Sequence, residues 1–95
     1  MTILECEIED YLVKRVNGLM GECWKFVSPN RAGVPDRIVM LPGARVWFVE
    51  LKSKSGSVNP LQAYVHRLLG DQGHKVEIIS SKKEVDEFIK RITAK

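Results

Sequence analysis

The dipeptide Pro42-Gly43 splits one apolar stretch of the chain into two, and no other feature restricts the fold so tightly. Pro-Gly is a strong reversal signal. On either side lie β-branched, apolar and aromatic runs, Ile38 to Leu41 and Val46 to Leu51, of the kind that forms strands buried on both faces. A hairpin is the economical reading. If it is centred near Gly43, residues whose numbers sum to about 86 oppose each other across an antiparallel ladder, and Asp36 and Glu50 satisfy that condition. Two carboxylates so placed have Cβ atoms roughly 4.5–5.5 Å apart, where like charges destabilise a sheet unless something neutralises them. A divalent cation would do so. Lys52 projects to the same side as Glu50 because side chains alternate along a strand, while Leu51 points the other way with its carbonyl available. Two acids, a carbonyl and an amine suit metal-assisted attack of water on a phosphodiester. Oxygen ligands hold Mg²⁺ or Mn²⁺, the metal acidifies water and takes up phosphoryl charge, and the lysine helps both. Charged strand ends are common, so Glu50-Leu51-Lys52 alone would say little; Pro35-Asp36 at hairpin-matched spacing makes the case.

At these residues the chain resembles the PD-(D/E)XK nuclease superfamily and, within it, the short stand-alone form of the VRR-NUC (virus-type replication and repair nuclease) family. Gly33-Val34-Pro35-Asp36 matches that family's G-(V/I)-P-D, and Phe48-Val49-Glu50-Leu51-Lys52 matches its hydrophobic-E-(L/V)-K. The resemblance runs over nearly the whole chain, including an amino-terminal helix with a glutamate and a second helix whose Gln62 matches a glutamine after the E-x-K strand. It implies an α+β, restriction-endonuclease-like core in the order α-β-β-β-α-β-α, a mixed sheet flanked by helices; the strand order comes from the resemblance alone. It also implies a Mg²⁺- or Mn²⁺-dependent endonuclease acting on double-stranded or branched DNA such as Holliday junctions. Asp36, Glu50 and the Leu51 carbonyl would bind the metal, Glu5 would complete the shell, and Lys52 would assist the water nucleophile. Gln62 joins the catalytic set on the strength of the family match, since a first-turn glutamine can hydrogen-bond a phosphate or a metal-bound water. The alternative from another class is a DNA-binding module with a nuclease fold and no catalysis; every motif position is filled, which argues against it.

The first helix is expected from about Ile3 to Leu19, because Leu4, Ile8, Tyr11, Leu12, Val16 and Leu19 recur at helical spacing and Gly18 and Gly21 mark its end. At about 100° per residue, that apolar arc encloses Glu5 and borders Glu9. Arg15 falls in it too. A glutamate on a core-facing arc is either a mispatterned first-turn residue or is aimed at the metal site. Glu5 is the first choice and Glu9 the second.

Cys23 to Val27 reads as a first strand, ended by Ser28-Pro29-Asn30, with Trp24 and Phe26 alternating with Lys25 and favoured as core. The loop Ser28 to Val34 delivers the chain into Asp36 and is expected to meet the substrate backbone. Pro35 fixes its own φ ahead of Asp36 and, lacking an N–H, belongs at the start of a strand. Asn59-Pro60 opens a second helix, Asn59 as N-cap and Pro60 at the first position, ending by Gly73. Its expected buried face is Leu61, Tyr64, Val65, Leu68 and Leu69. His66 on its flank reads as incidental. Lys75 to Ile79 is a fourth strand, and Ser81-Lys82-Lys83-Glu84 is a capping-box pattern opening a last helix with Val85, Phe88, Ile89 and Ile92 as its stripe.

The net charge of +3 is mild, but from Cys23 to Val49 stand Lys25, Arg31, Arg37 and Arg45 against the single acid Asp36. Phosphate would be drawn there, so Lys25, Arg31, Arg37 and Lys54 are candidate nucleic-acid contacts. Cys6 and Cys23 are too few and too far apart for a disulfide framework, and nothing pairs them with His66 and His74 at zinc-ligand spacing. Ninety-five residues without a long apolar run or signal-peptide pattern suggest one cytoplasmic domain, with no membrane partner and no organic cofactor. A unit of this size covers one scissile phosphate. Cutting both strands of a junction therefore calls for a symmetric homodimer, which the resemblance also implies; Val58, Leu61, Val85 and Ile92 are apolar candidates for its interface.

Overall fold

Pro42, Gly43 and Ala44 reverse the chain between β2 (Arg37–Leu41) and β3 (Arg45–Leu51). Gly43 and Ala44 both take positive φ, 90° and 60°, which lets strands of right-handed twist meet across a short loop. The computed structural model describes residues 4–53 and 56–94. In the hairpin Arg37 pairs with Val49, Val39 with Trp47 and Leu41 with Arg45, the expected register. β1 (Glu22–Lys25) adds antiparallel to β2, and β4 (Lys75–Ile79) adds parallel to β3, giving the strand order β1-β2-β3-β4. A parallel neighbour needs a crossover. Here it contains α2 (Pro60–Asp71), while α1 (Glu5–Asn17) and α3 (Lys82–Thr93) open and close the succession. The element order α-β-β-β-α-β-α and the mixed, helix-flanked sheet are those expected, and the fold is α+β.

Strand alternation decides which face carries the core. Cys23, Val39, Leu41, Trp47, Val49, Leu51 and Ile79 turn to one side and pack against Ile8, Leu12 and Val16 of α1 and Val85, Phe88, Ile89 and Ile92 of α3. Phe88 is wholly buried and meets Trp47 edge-on at 6.0 Å between centroids; losing a ring in such a place costs about 3–5 kcal/mol. Arg15, which the apolar arc of α1 includes, turns to Asp86 on α3, as does the Tyr11 hydroxyl. Glu50, of opposite parity to Val49 and Leu51, faces the other way and meets α2. The two faces thus divide the work: one supplies the core and the other carries the acid.

Several expectations change in the structure. Trp24 is exposed, because on β1 it has the parity opposite to the buried Cys23, and its indole N–H donates to Glu22 at 3.1 Å. Phe26 lies beyond the strand and packs half-buried on Phe48. On α2 only Val65 is buried; Leu61 and Tyr64 remain nearly half exposed, since the helix meets the sheet mainly through β4. Val85 and Ile92, two of the apolar interface candidates, are buried in the core. The first helix begins at Glu5, and Ile3 and Lys54 lie outside the described residues. At α3 the Ser81 hydroxyl accepts the Glu84 N–H at 3.0 Å, but the Glu84 carboxylate bonds the N–H and hydroxyl of Ser80, closing the box one residue early. Among the described residues no helix is long and apolar enough to cross a membrane.

Candidate active site

Asp36 occupies the position just before β2, one step beyond the Arg37–Val49 pair and therefore opposite Glu50. Its approach is tightly built. Gly33 has φ 86°, and a Cβ there would stand 3.0 Å from Leu61 Cγ, so a residue with a side chain would be strained on both counts. Pro35 is buried, and the Asp36 carbonyl accepts the Phe26 N–H at 2.9 Å. The carboxylate crosses the hairpin: Oδ2 accepts the Leu51 N–H at 2.8 Å.

Glu50 is 2% exposed, the one buried charged residue among those described. Its Oε2 accepts Gln62 Nε2 at 2.9 Å and lies 3.4 Å from Lys52 Nζ, while Oε1 is buried without a partner. Burial, and secondarily the Asp36 charge, raises its pKa above the ordinary carboxylate value, against the opposing pull of Lys52. Lys52 in turn donates to Gln62 Oε1 at 2.8 Å. Gln62 does a further job. Its Oε1 accepts the Asn59 N–H at 3.1 Å and its own N–H donates to Asn59 Oδ1 at 2.8 Å, a reciprocal cap that opens α2. The Asn59-x-x-Gln62 spacing is the signal for that cap. His66, one turn further along α2, comes within 4.0 Å of Glu50 Oε1. Burial lowers its pKa first and Lys52 second, so the ring favours its neutral form.

The helix acids separate. Glu5 Oε1 accepts the Ser53 N–H at 2.8 Å, just past the end of β3, whereas Glu9 Oε2 takes Arg37 Nε at 2.6 Å. Both line a cavity of about 250 Å³ together with Lys25, Phe26, Val27, Asp36 and Leu51. Arg37, a candidate DNA contact by sequence, also donates its Nη1–H to the Cys23 carbonyl at 3.0 Å. Arg31 stands on a neighbouring groove of about 490 Å³ between its own loop and α2, with Phe26 common to both spaces.

Oxygen predominates in this donor set, which fits a hard divalent cation better than zinc. Among the described residues no three His, Cys, Asp or Glu side chains form a ready-made cage. An ion here would draw on Asp36, Glu50 and the Leu51 carbonyl, with water, substrate oxygens or Glu5 completing its shell, as suits Mg²⁺, which retains several waters. The unpartnered Glu50 Oε1 supports that fit, since a buried acceptor rarely goes without a partner.

No family model matches the chain. It is 43% identical over 79 residues to Putative nuclease p44 of Acyrthosiphon pisum secondary endosymbiont phage 1, a match covering 83% of this chain and 85% of that protein. A solved structure described as VRR_NUC domain is similar with a TM-score of 0.86 and 32% identity, covering 90% of this chain and 94% of that one. Both matches span the G-V-P-D turn and the E-L-K strand end together with most of the fold around them, and the chain belongs to the VRR-NUC family.

Proposed function

We propose that this protein is a divalent-metal-dependent DNA endonuclease that cuts branched DNA, Holliday junctions among it, as a homodimer. The observation that carries the reading is the meeting of Asp36 and Glu50 at one end of the β2–β3 ladder, with Lys52 Nζ 3.4 Å from Glu50 and the Leu51 peptide tied to Asp36. Asp36, Glu50 and the Leu51 carbonyl would hold Mg²⁺ or Mn²⁺, and Glu5 would join directly or through water. Such an ion acidifies water and takes up phosphoryl charge. Lys52, aimed by the Gln62 carbonyl, holds positive charge beside the acids and assists the water nucleophile. Lys25 on the cavity wall draws the phosphate backbone in, and exposed Arg31 extends that attraction along the adjoining groove. Arg37 serves by neutralising Glu9.

Cleavage of labelled linear, flap and four-way DNA with Mg²⁺, with Mn²⁺ and with excess EDTA tests the reading. Activity is expected only with metal, and Asp36→Asn, Glu50→Gln and Lys52→Ala should each lose at least about a hundredfold in rate while DNA binding largely survives. Full activity in EDTA would remove the hypothesis; binding without cleavage under every condition would substitute a non-catalytic DNA-binding module. The dimer rests on the need for two opposed cuts, and the half-exposed Leu61 and Tyr64 on α2 offer apolar surface for it. Sedimentation equilibrium at micromolar protein decides that part. A monomer that nicks flaps and spares four-way junctions sinks the dimer and leaves the nuclease.

A further inference from the structure

We infer that His66 is a positioning residue: with Gln62, it forms a two-donor clamp on α2 that fixes the Glu50 carboxylate in the orientation that binds the cation. The inference rests on the metal-dependent reading above and extends it. Two buried side-chain atoms have no hydrogen-bond partner among the described residues, Glu50 Oε1 and His66 Nε2, and they face each other at 4.0 Å. One is an acceptor and the other a donor when it carries the ring proton. Buried polar atoms rarely go unpaired, so their shared burial at one spot has a use. Closing the gap by about 1 Å would make an ordinary hydrogen bond.

The placement follows from helix geometry. Residues four apart share a face, so Gln62 and His66 reach the two oxygens of one carboxylate from successive turns, Gln62 on Oε2 and His66 towards Oε1. Oε2 already has Gln62 Nε2 and the Lys52 ammonium beside it. The coordinating capacity that remains is on Oε1, the oxygen His66 approaches. A general-base role is a poor fit, because the side chain is only 10% exposed and its Nε2 faces the buried Glu50 carboxylate. The imidazole acts through Glu50.

Calorimetric titration of Mn²⁺ into the full chain without DNA tests the clamp, using His66→Leu, which keeps bulk and removes the donor, and His66→Gln, whose amide N–H reaches as far as Nε2. Partners of a metal ligand are worth roughly 10–100-fold in affinity. His66→Leu should therefore weaken Mn²⁺ binding about tenfold or more, and His66→Gln should stay within about threefold of wild type. Unchanged affinity in His66→Leu overturns the clamp, as does a His66→Gln protein as weak as His66→Leu. If His66→Leu does not fold, His66→Gln alone decides, and a tenfold loss in it overturns the inference. A wild-type protein that binds Mn²⁺ normally beside an unaffected His66→Leu sinks only the clamp; one that neither binds Mn²⁺ nor cuts DNA sinks the active-site reading and the clamp with it.

Discussion

Arg37 holds Glu9: its Nε donates to Oε2 at 2.6 Å, and the pair is largely withdrawn from solvent. Glu5 takes only the Ser53 N–H and, among the described residues, has no cationic side chain against it. Its charge is therefore the more available to a cation. Glu5→Gln should lower the rate about tenfold or more at limiting Mn²⁺, with little effect on thermal stability. Glu9→Gln should do the opposite, leaving the metal response near wild type and costing about 1–3 kcal/mol for the weakened charged bond. Mn²⁺-dependence curves and thermal melts check both. A dead Glu9 variant beside a normal Glu5 variant would make Glu9 the helix ligand.

Glu50 is ionised at the expense of stability. Because its folded-state pKa is raised, the metal-free folded protein binds a proton that the unfolded chain has released. That contribution is complete below the unfolded value of 4.5 and is lost as pH rises through the folded pKa. Glu50→Gln cannot ionise and escapes the loss. In EDTA at pH 8 the variant should melt higher than wild type, with about 4–8 °C expected for each kilocalorie per mole recovered, and the gap should shrink on acidification. A wild-type protein equal to or more stable than Glu50→Gln at pH 8 would refute this account of the carboxylate.

Gly33→Ala forces a side chain into φ 86° against Leu61 and Val65. Strain of this kind costs about 1–3 kcal/mol, and it falls three residues before Asp36. The variant should melt lower and cleave more slowly even at temperatures where it is folded. Gly70→Ala is the control: α2 has open space there, and the substitution should gain about 0.5–1 kcal/mol. Melting curves with single-temperature rates separate the two effects.

The thiols should differ in reactivity. Burial pushes Cys23 up to about 11, and Cys6 is exposed on α1. At pH 8 a thiol-exchange reagent should therefore label Cys6 promptly and Cys23 only on unfolding. Mass spectrometry of labelled peptides reads the result. Rapid labelling of Cys23 in the native protein would show that the sheet opens at β1.

What the residues alone made legible was local. The Pro-Gly reversal and the flanking apolar runs announced the hairpin and its register, and Asn59-Pro60 and Gly73 bracketed α2, because each signal acts within a few residues of itself. Burial did not travel the same way. Trp24 and Cys23 are neighbours with opposite parity on an edge strand, and which of them is covered depends on helices that pack from elsewhere in the chain. Leu61 and Tyr64 repeat at core spacing, yet α2 meets only part of the sheet. The choice of Arg37 for Glu9 joins positions 28 apart, and nothing in the periodicity of α1 encodes it.

Position 62 leaves almost no room for sequence drift. The side chain there must accept from the Asn59 N–H and from Lys52 with one atom while donating to Glu50 with another. Glutamate would keep the cap and present a further negative charge to a buried carboxylate; lysine would keep a donor and lose the acceptor for the Asn59 N–H; asparagine has the right groups on too short a stem. Glutamine alone combines an amide's two polarities with that reach, so any lineage that lost it would have to replace one half of a helix cap and the support of an acid in the same step.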